Sequence, residues 1–232
     1  MKAMILAAGR GERMRPLTDT LPKPLLQVGD KPLIAWHLCR LQAVGITEIV
    51  INHAWLGDKI EETLGDGSQY GVRISYSPER NGGLETAGGI ATALPLLGDE
   101  PFLVINGDVL TDIDFTQVFE VAERVKQKNL SAYLWLVDNP EHNAKGDFSL
   151  QNDGSVLSQS EMGKALTFSG MGVYQPALFA QTPAHQAAKL APLLRSAMDA
   201  GEVAGEHHQG LWLDVGTVER LAEANRLAAT WR

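Results

Sequence analysis

The amino-acid sequence predicts an α/β protein of the Rossmann-like, three-layer α/β/α type, with a central mixed, mostly parallel sheet. Short apolar runs alternate with amphipathic stretches as far as residue 137, as expected when helices cover both faces of a sheet. A glycine-rich loop follows the first apolar run, which is where doubly wound sheets bind phosphates. The chain of 232 residues is also long enough to bury one sizeable core without disulfides or a structural metal.

The strand and helix signals follow one another in a regular order. Apolar runs predict strands at 2–8, 48–52, 72–77, 102–106 and 132–137. Apolar residues at helical spacing predict helices between them, at 32–43, 57–64, 86–97 and 115–126. After residue 138 shorter alternating runs take over, and helices are predicted near 189–198 and 218–228. Without a linker or repeat, this order indicates a single domain, 1–232, with two lobes at about 1–110 and 111–232.

Charge and cysteine content restrict the partners and the location. The formal net charge of -8 argues against nucleic acid, whose binding requires a basic face. The chain contains no run of about 18 apolar residues, so no membrane segment is expected. The single cysteine, Cys39, has apolar neighbours at helical spacing and suits a core position in a reducing cytoplasm. The sequence does not specify an oligomeric state.

The densest chemistry lies in residues 6–25. Gly9 and Gly11 can adopt positive φ and present backbone N–H groups to an anion, while Arg13, Arg15 and Lys23 add positive charge. From 9 to 23 four basic residues oppose two acidic ones, against the sign of the whole chain. A locally basic loop on an acidic protein favours a small phosphorylated ligand and predicts a triphosphate cradle.

Two familiar phosphate-binding motifs do not fit this loop. A dinucleotide fingerprint needs a third glycine where Met14 stands, and Pro16 interrupts the helix that should begin there. A P-loop run, Gly-x-x-x-x-Gly-Lys-Ser/Thr, is absent from the sequence.

Residues 9–24 instead resemble the signature G-x-G-x-R-hydrophobic-x-P-L-T-x-x-x-P-K-P of the sugar-1-phosphate nucleotidyltransferases, and every fixed position is present. The resemblance implies the nucleotidyltransferase fold, with a smaller sugar-binding lobe. It also implies that Arg13 holds the β- and γ-phosphates and Lys23 neutralises the α-phosphate, both as catalytic residues. The implied nucleotide-binding residues are Ala8, Gly9, Gly11, Glu12, Arg13, Lys23, Glu79 and Gly83.

Two aspartates are candidates for a metal site. Asp108 follows a predicted buried strand in Asn106-Gly107-Asp108, and Asp214 lies in 211–217, which resembles the family motif W-x-D-hydrophobic-G-T. Mg²⁺ is typically bound by one or two carboxylates together with substrate phosphates. The resemblance therefore implies that Asp108 and Asp214 hold Mg²⁺. The alternatives are a helix-capping aspartate at 108 and a turn aspartate at 214.

The resemblance places the sugar contacts in several segments. Residues 84–89 resemble the family loop L-G/E-T-A-G, and 137–147 lie where relatives contact the sugar. Relatives usually have Glu-Lys-Pro where this chain has residues 161–163, and Lys164 is one candidate for the missing lysine. The six histidines and most tryptophans are expected to have structural or surface roles. The implied sugar-binding residues are Glu85, Asn106, Asn139, Gly146, Asp147 and Glu161.

Among short members of the family, the chain most resembles the bacterial N-acetylmuramate-1-phosphate uridylyltransferases, notably at 50–57, 64–68, 77–79 and 137–140. This resemblance implies transfer of UMP from UTP to α-N-acetylmuramate 1-phosphate, in peptidoglycan recycling. The alternatives are a mannose-1-phosphate guanylyltransferase or a glucose-1-phosphate thymidylyl- or uridylyltransferase. A non-catalytic nucleotide-sugar sensor is a further hypothesis from another class.

Overall fold

A computed structural model describes residues 1–159 and 161–231. The strands are β1 (Lys2–Ala7), β2 (Gln27–Val28), β3 (Lys31–Pro32), β4 (Glu48–His53), β5 (Arg73–Pro78), β6 (Phe102–Asn106), β7 (Val109–Thr111), β8 (Ala132–Val137), β9 (Phe148–Leu150), β10 (Val156–Leu157), β11 (Lys164–Tyr174), β12 (Val203–His207) and β13 (Trp212–Asp214). The α-helices are α1 (Leu17–Thr20), α2 (Leu33–Ala43), α3 (Gly57–Leu64), α4 (Glu85–Leu97), α5 (Val118–Gln127), α6 (Leu190–Asp199) and α7 (Val218–Ala228).

Within the described residues, nine strands form one mixed sheet. Its main path runs β5-β4-β1-β6-β11-β8-β12; β11 is antiparallel to β6 and β8, and the other pairs are parallel. β9 pairs with the first three residues of β11 and with β10. The predicted α/β fold with a mixed, mostly parallel sheet is confirmed.

The chain reverses its direction of progress across the sheet between β1 and β6. From β1 it proceeds outward to β4 and β5, then returns through α4 to β6 on the other side of β1. Ligands of open α/β sheets bind in the crevice beyond the carboxyl ends of the strands at such a point. The topology therefore directs attention to the segments that follow β1 and β6.

Two layers of helices cover the sheet because its strands alternate apolar residues between both faces. Ile5 belongs to one buried cluster with residues of α2, α3 and α5, whereas Met4 belongs to a second with residues of α4 and α6. Both side chains are fully buried. This alternation gives the three-layer architecture.

A third apolar cluster joins the two ends of the chain. Ala224 and Ala228 of α7 pack in it with Val28 and Leu33 near the start of the chain, and the amide of Gly29 donates to the Asn225 side chain at 2.9 Å. The C-terminal helix thus covers the segment that follows the glycine-rich loop.

A short antiparallel pair outside the main sheet brings distant segments together. β13 pairs with β7 so that Asp214 lies opposite Val109, and the Val215 N–H donates to the carbonyl oxygen of Asp108 at 2.7 Å. α7 begins immediately afterwards, where the Thr217 hydroxyl accepts the Arg220 N–H as an N-cap. Asp214 is therefore held beside the end of β6.

The predicted boundaries differ from the structure in small ways. The helix predicted at 115–126 begins as a 3₁₀ turn, Phe115–Gln117, because the Asp114 side chain accepts the Thr116 N–H, and continues as α5. The strands β7, β9, β10, β12 and β13 were not individually predicted, since two to five residues carry little periodicity. Among the described residues, none of the helices combines the length and apolar character needed to cross a bilayer.

Leu110 tests the packing of the β7–β13 pair. Its side chain is 1% exposed in the third cluster, so Leu110→Ala should lower the free energy of unfolding by about 2–5 kcal/mol through lost burial and a cavity. Leu96→Ala is the control, because Leu96 is 37% exposed. Urea unfolding of both variants measures the difference, and equal stabilities would contradict this packing.

Candidate active site

A cleft of about 660 Å³ opens beside the carboxyl ends of β1, β4 and β6. It lies at the reversal point of the sheet, as the topology indicated. Arg10, Asn52, Trp55, Arg80 and Thr86 contribute to its walls. The sequence-predicted site residues that line it are Ala8, Gly9, Lys23, Glu79, Gly83, Glu85, Asn106 and Asp108.

The glycine-rich loop turns sharply at Gly11, whose φ is 69°. A Cβ there would lie 2.9 Å from the Cγ2 of Thr18, and the Thr18 hydroxyl donates to the Gly11 carbonyl at 2.6 Å. Glycine is therefore required at this position both for conformation and for space. Gly9 could adopt positive φ but does not; it lies at the cleft, where a Cβ would meet no atom within 4 Å.

Arg10 and Trp55 fasten the loop to the sheet. The guanidinium of Arg10 lies 3.7 Å from the centroid of a Trp55 ring, and both side chains donate to the Thr18 carbonyl. Arg10 also contacts Asp19 at 3.0 Å, and this hydrogen bond lowers the pKa of the Asp19 carboxyl. Trp55 was expected only to pack; it also borders the cleft.

Glu79 forms part of a buried scaffold behind the cleft. Its carboxylate accepts the Leu84 N–H at 2.8 Å and the Asn52 side-chain amide at 2.9 Å, and the Asn52 oxygen accepts the Ala7 N–H at 3.0 Å. A buried carboxylate needs such partners to offset its desolvation. The network ties the end of β1 to the 79–84 loop. Asn52 was not predicted as a site residue, although its position at the end of β4 was a usable signal.

Glu85 adopts an uncommon backbone conformation at the start of α4. Its φ is 59°, its side chain is exposed, and it lines the cleft. The left-handed region costs an L-residue roughly 1–2 kcal/mol, and such outliers cluster at functional sites. We therefore retain Glu85 as a hypothetical substrate contact.

Each of the two predicted metal aspartates faces a protein cation. Asp108 Oδ2 lies 3.1 Å from Lys23 Nζ. Asp214 Oδ2 lies 2.5 Å from Arg220 Nη1 and 3.0 Å from His142 Nε2. These contacts pair opposite charges in partly buried surroundings. Arg220 and His142 had not been predicted at the site, because neither belongs to a local motif.

Arg13 lies away from the cleft wall and beside Gly216. A Cβ built on Gly216 would lie 3.1 Å from Arg13 Nη2 and 2.8 Å from Arg220 Nη2. The missing side chain therefore lets two guanidinium groups approach the segment that follows Asp214. Gly11 and Glu12 likewise do not line the cleft in this structure.

The predicted sugar residues of the second lobe hold their own loop in place. The Asn139 oxygen accepts the Thr167 hydroxyl at 2.8 Å, and the Asp147 carboxylate accepts the Phe168 N–H at 2.8 Å. Gly146 has φ of 72° and would clash with Leu166 and Asn139 if it carried a Cβ. Asn139, Gly146 and Asp147 thus fasten 138–147 to β11, outside the cleft wall; their sugar contacts stay a prediction.

Residues 161–164 also lie outside the cleft wall. Glu161 is exposed on the turn before β11. Lys164, the candidate for the missing lysine, begins β11 and its Nζ lies 3.7 Å from Asp138. Among the described residues, neither Glu161 nor Lys164 contacts Asp108 or Asp214.

Most histidines have structural roles, as expected. Burial lowers the pKa of His37 to about 4, so its ring is neutral. His207 contacts Asp138 and His208 contacts Asp112, each at 2.8 Å, so the two neighbours do not share a ligand position.

Comparison with known proteins identifies the family. A family model described as "Nucleotidyl transferase" matches residues 2–230. The chain belongs to this family. It is 66% identical, over 232 residues and 100% of both chains, to the N-acetylmuramate alpha-1-phosphate uridylyltransferase of Neisseria meningitidis serogroup B. It is 36% identical, over 97% of this chain and 96% of the relative, to the protein of the same name from Caulobacter vibrioides.

A solved structure supports the fold of this nucleotidyltransferase independently. A Bacillus anthracis protein solved in complex with a sucrose has a TM-score of 0.84 to this chain, at 24% identity, covering 100% of this chain and 96% of that chain. The prediction of the sugar-1-phosphate nucleotidyltransferase family is confirmed.

Nucleotidyltransferases of this family generally use a divalent metal ion. Among the described residues no group of three or more His, Cys, Asp or Glu side chains forms a ready-made metal cage. The β7–β13 pair nevertheless holds Asp108 and Asp214 on neighbouring backbone segments, with their carboxylates already facing cations. Two carboxylates that share their ion with substrate phosphates fit a hard divalent cation.

Gly216 tests whether the two neighbouring arginines matter for activity. Gly216→Ala should displace the flexible tips of Arg13 and Arg220 without touching backbone, because those tips are the nearest atoms to the new Cβ. We expect kcat/KM to fall about 10-fold to 100-fold, as for small misplacements of positioned groups. The unfolding midpoint should change little. Unchanged kinetics would show that neither arginine needs its position beside Gly216.

Proposed function

We propose that this nucleotidyltransferase transfers UMP from UTP to α-N-acetylmuramate 1-phosphate, giving UDP-N-acetylmuramate and pyrophosphate. The observation that carries the proposal is the full-length, 66% identical relative that bears the name of this activity. The reaction type is supported by the cleft, where Lys23, Asp108 and the glycine-rich loop meet. We further propose that the protein acts in the cytoplasm, in the recycling of cell-wall sugars.

The nucleophile in this reaction needs no general base. The second pKa of a phosphate monoester is about 6, so the sugar phosphate is largely dianionic at neutral pH. One of its oxygens attacks the α-phosphorus of UTP in line. A new P–O bond forms, the bond between the α-phosphorus and the bridging oxygen breaks, and pyrophosphate leaves with the electron pair.

The residues of the chain position these groups and stabilise their charge. Lys23, whose side chain is 14% exposed, would neutralise the α-phosphate as a point charge at the cleft wall. Arg13 would hold the β- and γ-phosphates and stabilise the departing pyrophosphate. Backbone N–H groups at Ala8, Gly9 and Gly11, with Glu12, would border the triphosphate, and Glu79 and Gly83 would flank the nucleoside.

Asp108 and Asp214 would hold the divalent ion, which we propose to be Mg²⁺. Mg²⁺ supplies charge neutralisation and alignment of the two phosphates when bound. The acceptor sugar would lie between Glu85 and Asn106 on one side and the 138–147 loop and Glu161 on the other. We further propose one domain with a nucleotide lobe, about 1–110, and a sugar lobe, about 111–232. The sheet, which continues from β6 through β11 to β8, supports the single domain.

Substrate identity is tested by pyrophosphate release. Each nucleoside triphosphate is combined with N-acetylmuramate, N-acetylglucosamine, glucose and mannose 1-phosphates, and initial rates are compared. We expect the highest kcat/KM with UTP and N-acetylmuramate 1-phosphate. Turnover confined to GTP and mannose 1-phosphate, or to a thymidylyl or uridylyl transfer to glucose 1-phosphate, would refute the muramate assignment. No turnover with any pair would favour the sensor hypothesis.

The metal assignment is tested by removing one negative charge at a time. Asp108→Asn and Asp214→Asn should each lower kcat by at least about 100-fold, because metal coordination supplies several kcal/mol of charge stabilisation. Asp99→Asn, at an exposed site after α4, is the control. The binding of Mn²⁺ in the presence of UTP, measured through the paramagnetic effect of the ion on water relaxation, should weaken in both aspartate variants. Wild-type turnover in either variant would refute the assignment.

A further inference from the structure

A dianionic sugar phosphate has to be matched by positive charge on the protein side of the reaction. Lys23 is paired with Asp108, on the nucleotide side of the cleft. The turn before β11 carries no basic residue until Lys164, which is 62% exposed and directed to Asp138. Among the described cations, Arg220 contacts both Asp214 and the 138–147 loop, which is called the sugar-side loop below.

Arg220 is fixed by contacts on several sides. Nη1 lies 2.5 Å from Asp214 Oδ2 and 3.4 Å from His142 Nε2, and Nε donates to the Thr217 hydroxyl at 3.3 Å. Its side chain is only 17% exposed. His142 belongs to the 138–147 loop, so the guanidinium bridges α7 and the sugar-side loop. An arginine held in this way loses little further rotational freedom when it binds an anion.

The donors of Arg220 are not exhausted by these contacts. Among residues 1–159 and 161–231, the recorded hydrogen bonds of the guanidinium use Nε and Nη1, whereas Nη2 is directed toward Gly216. Arg13 Nη2 approaches the same glycine, so the two guanidinium groups bring two positive charges to one segment. A phosphate that contacts Arg220 Nη2 would therefore also meet the charge of Arg13.

The position of Arg220 in its helix is electrostatically unfavourable. It is the third residue of α7, and the positive end of the helix dipole disfavours a cation in the first turn. Asp214 offsets this cost by ion pairing. A cation placed against the dipole and then neutralised by a site carboxylate is more simply explained by a ligand than by helix stability.

We propose that Arg220 binds the phosphate of the sugar 1-phosphate, with Asp214 and His142 fixing its guanidinium. The inference rests on the proposed function only in so far as the acceptor carries a phosphate. Arg220 donates from Nη2 to a phosphate oxygen as a charge-assisted hydrogen bond, while Nη1 and Nε keep Asp214 and Thr217 as partners. Arg13 remains on the triphosphate, and Gly216 keeps the two guanidinium groups close enough to serve adjacent phosphates.

The test compares Arg220→Gln with two other single-charge variants. Arg226→Gln, an exposed arginine of the same helix paired with Glu223, is the matched control, and Lys164→Gln removes the rival cation. KM is measured separately for UTP and for the sugar 1-phosphate. For Arg220→Gln we expect KM for the sugar 1-phosphate to rise about 10-fold to 100-fold, from loss of charge-assisted hydrogen bonds, with KM for UTP changed less than about 3-fold. The other two variants should match wild type.

Binding separates a phosphate contact from a structural role. The Kd of the sugar 1-phosphate is measured by calorimetry with a non-hydrolysable UTP analogue, and free N-acetylmuramate, which has a carboxylate but no phosphate, is used as a competitive inhibitor. Arg220→Gln should weaken the binding of the sugar 1-phosphate and leave the inhibition constant of free N-acetylmuramate unchanged. Arg220→Lys should recover part of the affinity. It keeps the charge, so it also serves if Arg220→Gln does not fold.

Three results would overturn the inference. The first is a KM for the sugar 1-phosphate that rises in Lys164→Gln and not in Arg220→Gln. The second is an equal rise of the KM values for UTP and the sugar 1-phosphate in Arg220→Gln. The third is that Arg220→Gln weakens the binding of free N-acetylmuramate as much as that of the sugar 1-phosphate. Every sugar 1-phosphate carries the same phosphate, so these measurements use whichever acceptor wild type accepts. Rejection of N-acetylmuramate 1-phosphate by wild type would refute the proposed substrate and leave the Arg220 comparison intact.

Discussion

The hydrogen bond from the Val215 N–H to the Asp108 carbonyl is the contact on which the arrangement of the site depends. It extends the pairing of β7 with β13 and joins segments more than one hundred residues apart. Together with that pairing, it fixes the end of β6 relative to the segment before α7. Leu110 and Val215, both buried beneath this pair, supply the apolar packing that keeps the hydrogen bond away from water. Packing of a small two-stranded unit thus determines the positions of two carboxylates.

Opposite charges are distributed around this unit in alternation. Asp108 is paired with Lys23, and Asp214 is paired with Arg220 and flanked by His142. Each carboxylate would be costly in partly buried surroundings without its cation. The same pairing leaves the site with cations that can turn toward phosphate oxygens. An acidic chain can therefore accept a highly anionic substrate pair, because several of its cations lie around this unit and the cleft.

Sequence patterns predicted the parts of the fold that extend over many residues. Long apolar runs gave β1, β4, β6 and β8 to within about one residue, because each strand is buried on both faces and has a uniform signal. Short strands such as β7 and β13 lack that signal, and their pairing is a tertiary property. The residue type alone also did not separate Gly9 from Gly11, because φ depends on the path of the loop; only Gly11 has a positive φ.

The candidate site likewise contains residues that could be selected from the sequence and residues that could not. Residues in contiguous motifs, such as Gly11, Lys23 and Asp108, could be selected from the sequence, although their roles stay predictions. His142 and Arg220 could not, because the contact between them joins segments 78 residues apart. Asn52 was missed although its position at the end of β4 was a usable signal. Asn139 and Asp147 show the opposite case: both lie where sugar contacts were predicted, yet their side chains hold the loop to β11.

The closure of the N-terminal segment by α7 has a consequence for the order in which the protein becomes competent during synthesis. A ribosome makes the glycine-rich loop and Asp108 before Asp214, Gly216 and Arg220, which lie more than one hundred residues further along the chain. Until then, Met14, Leu33 and Leu110 lack the α7 residues that pack against them. Contacts between such distant segments form slowly, since a long loop must close first. A chain that has been made only as far as Asp108 therefore lacks the partner strand β13 and the helix α7 that hold this region in the finished fold.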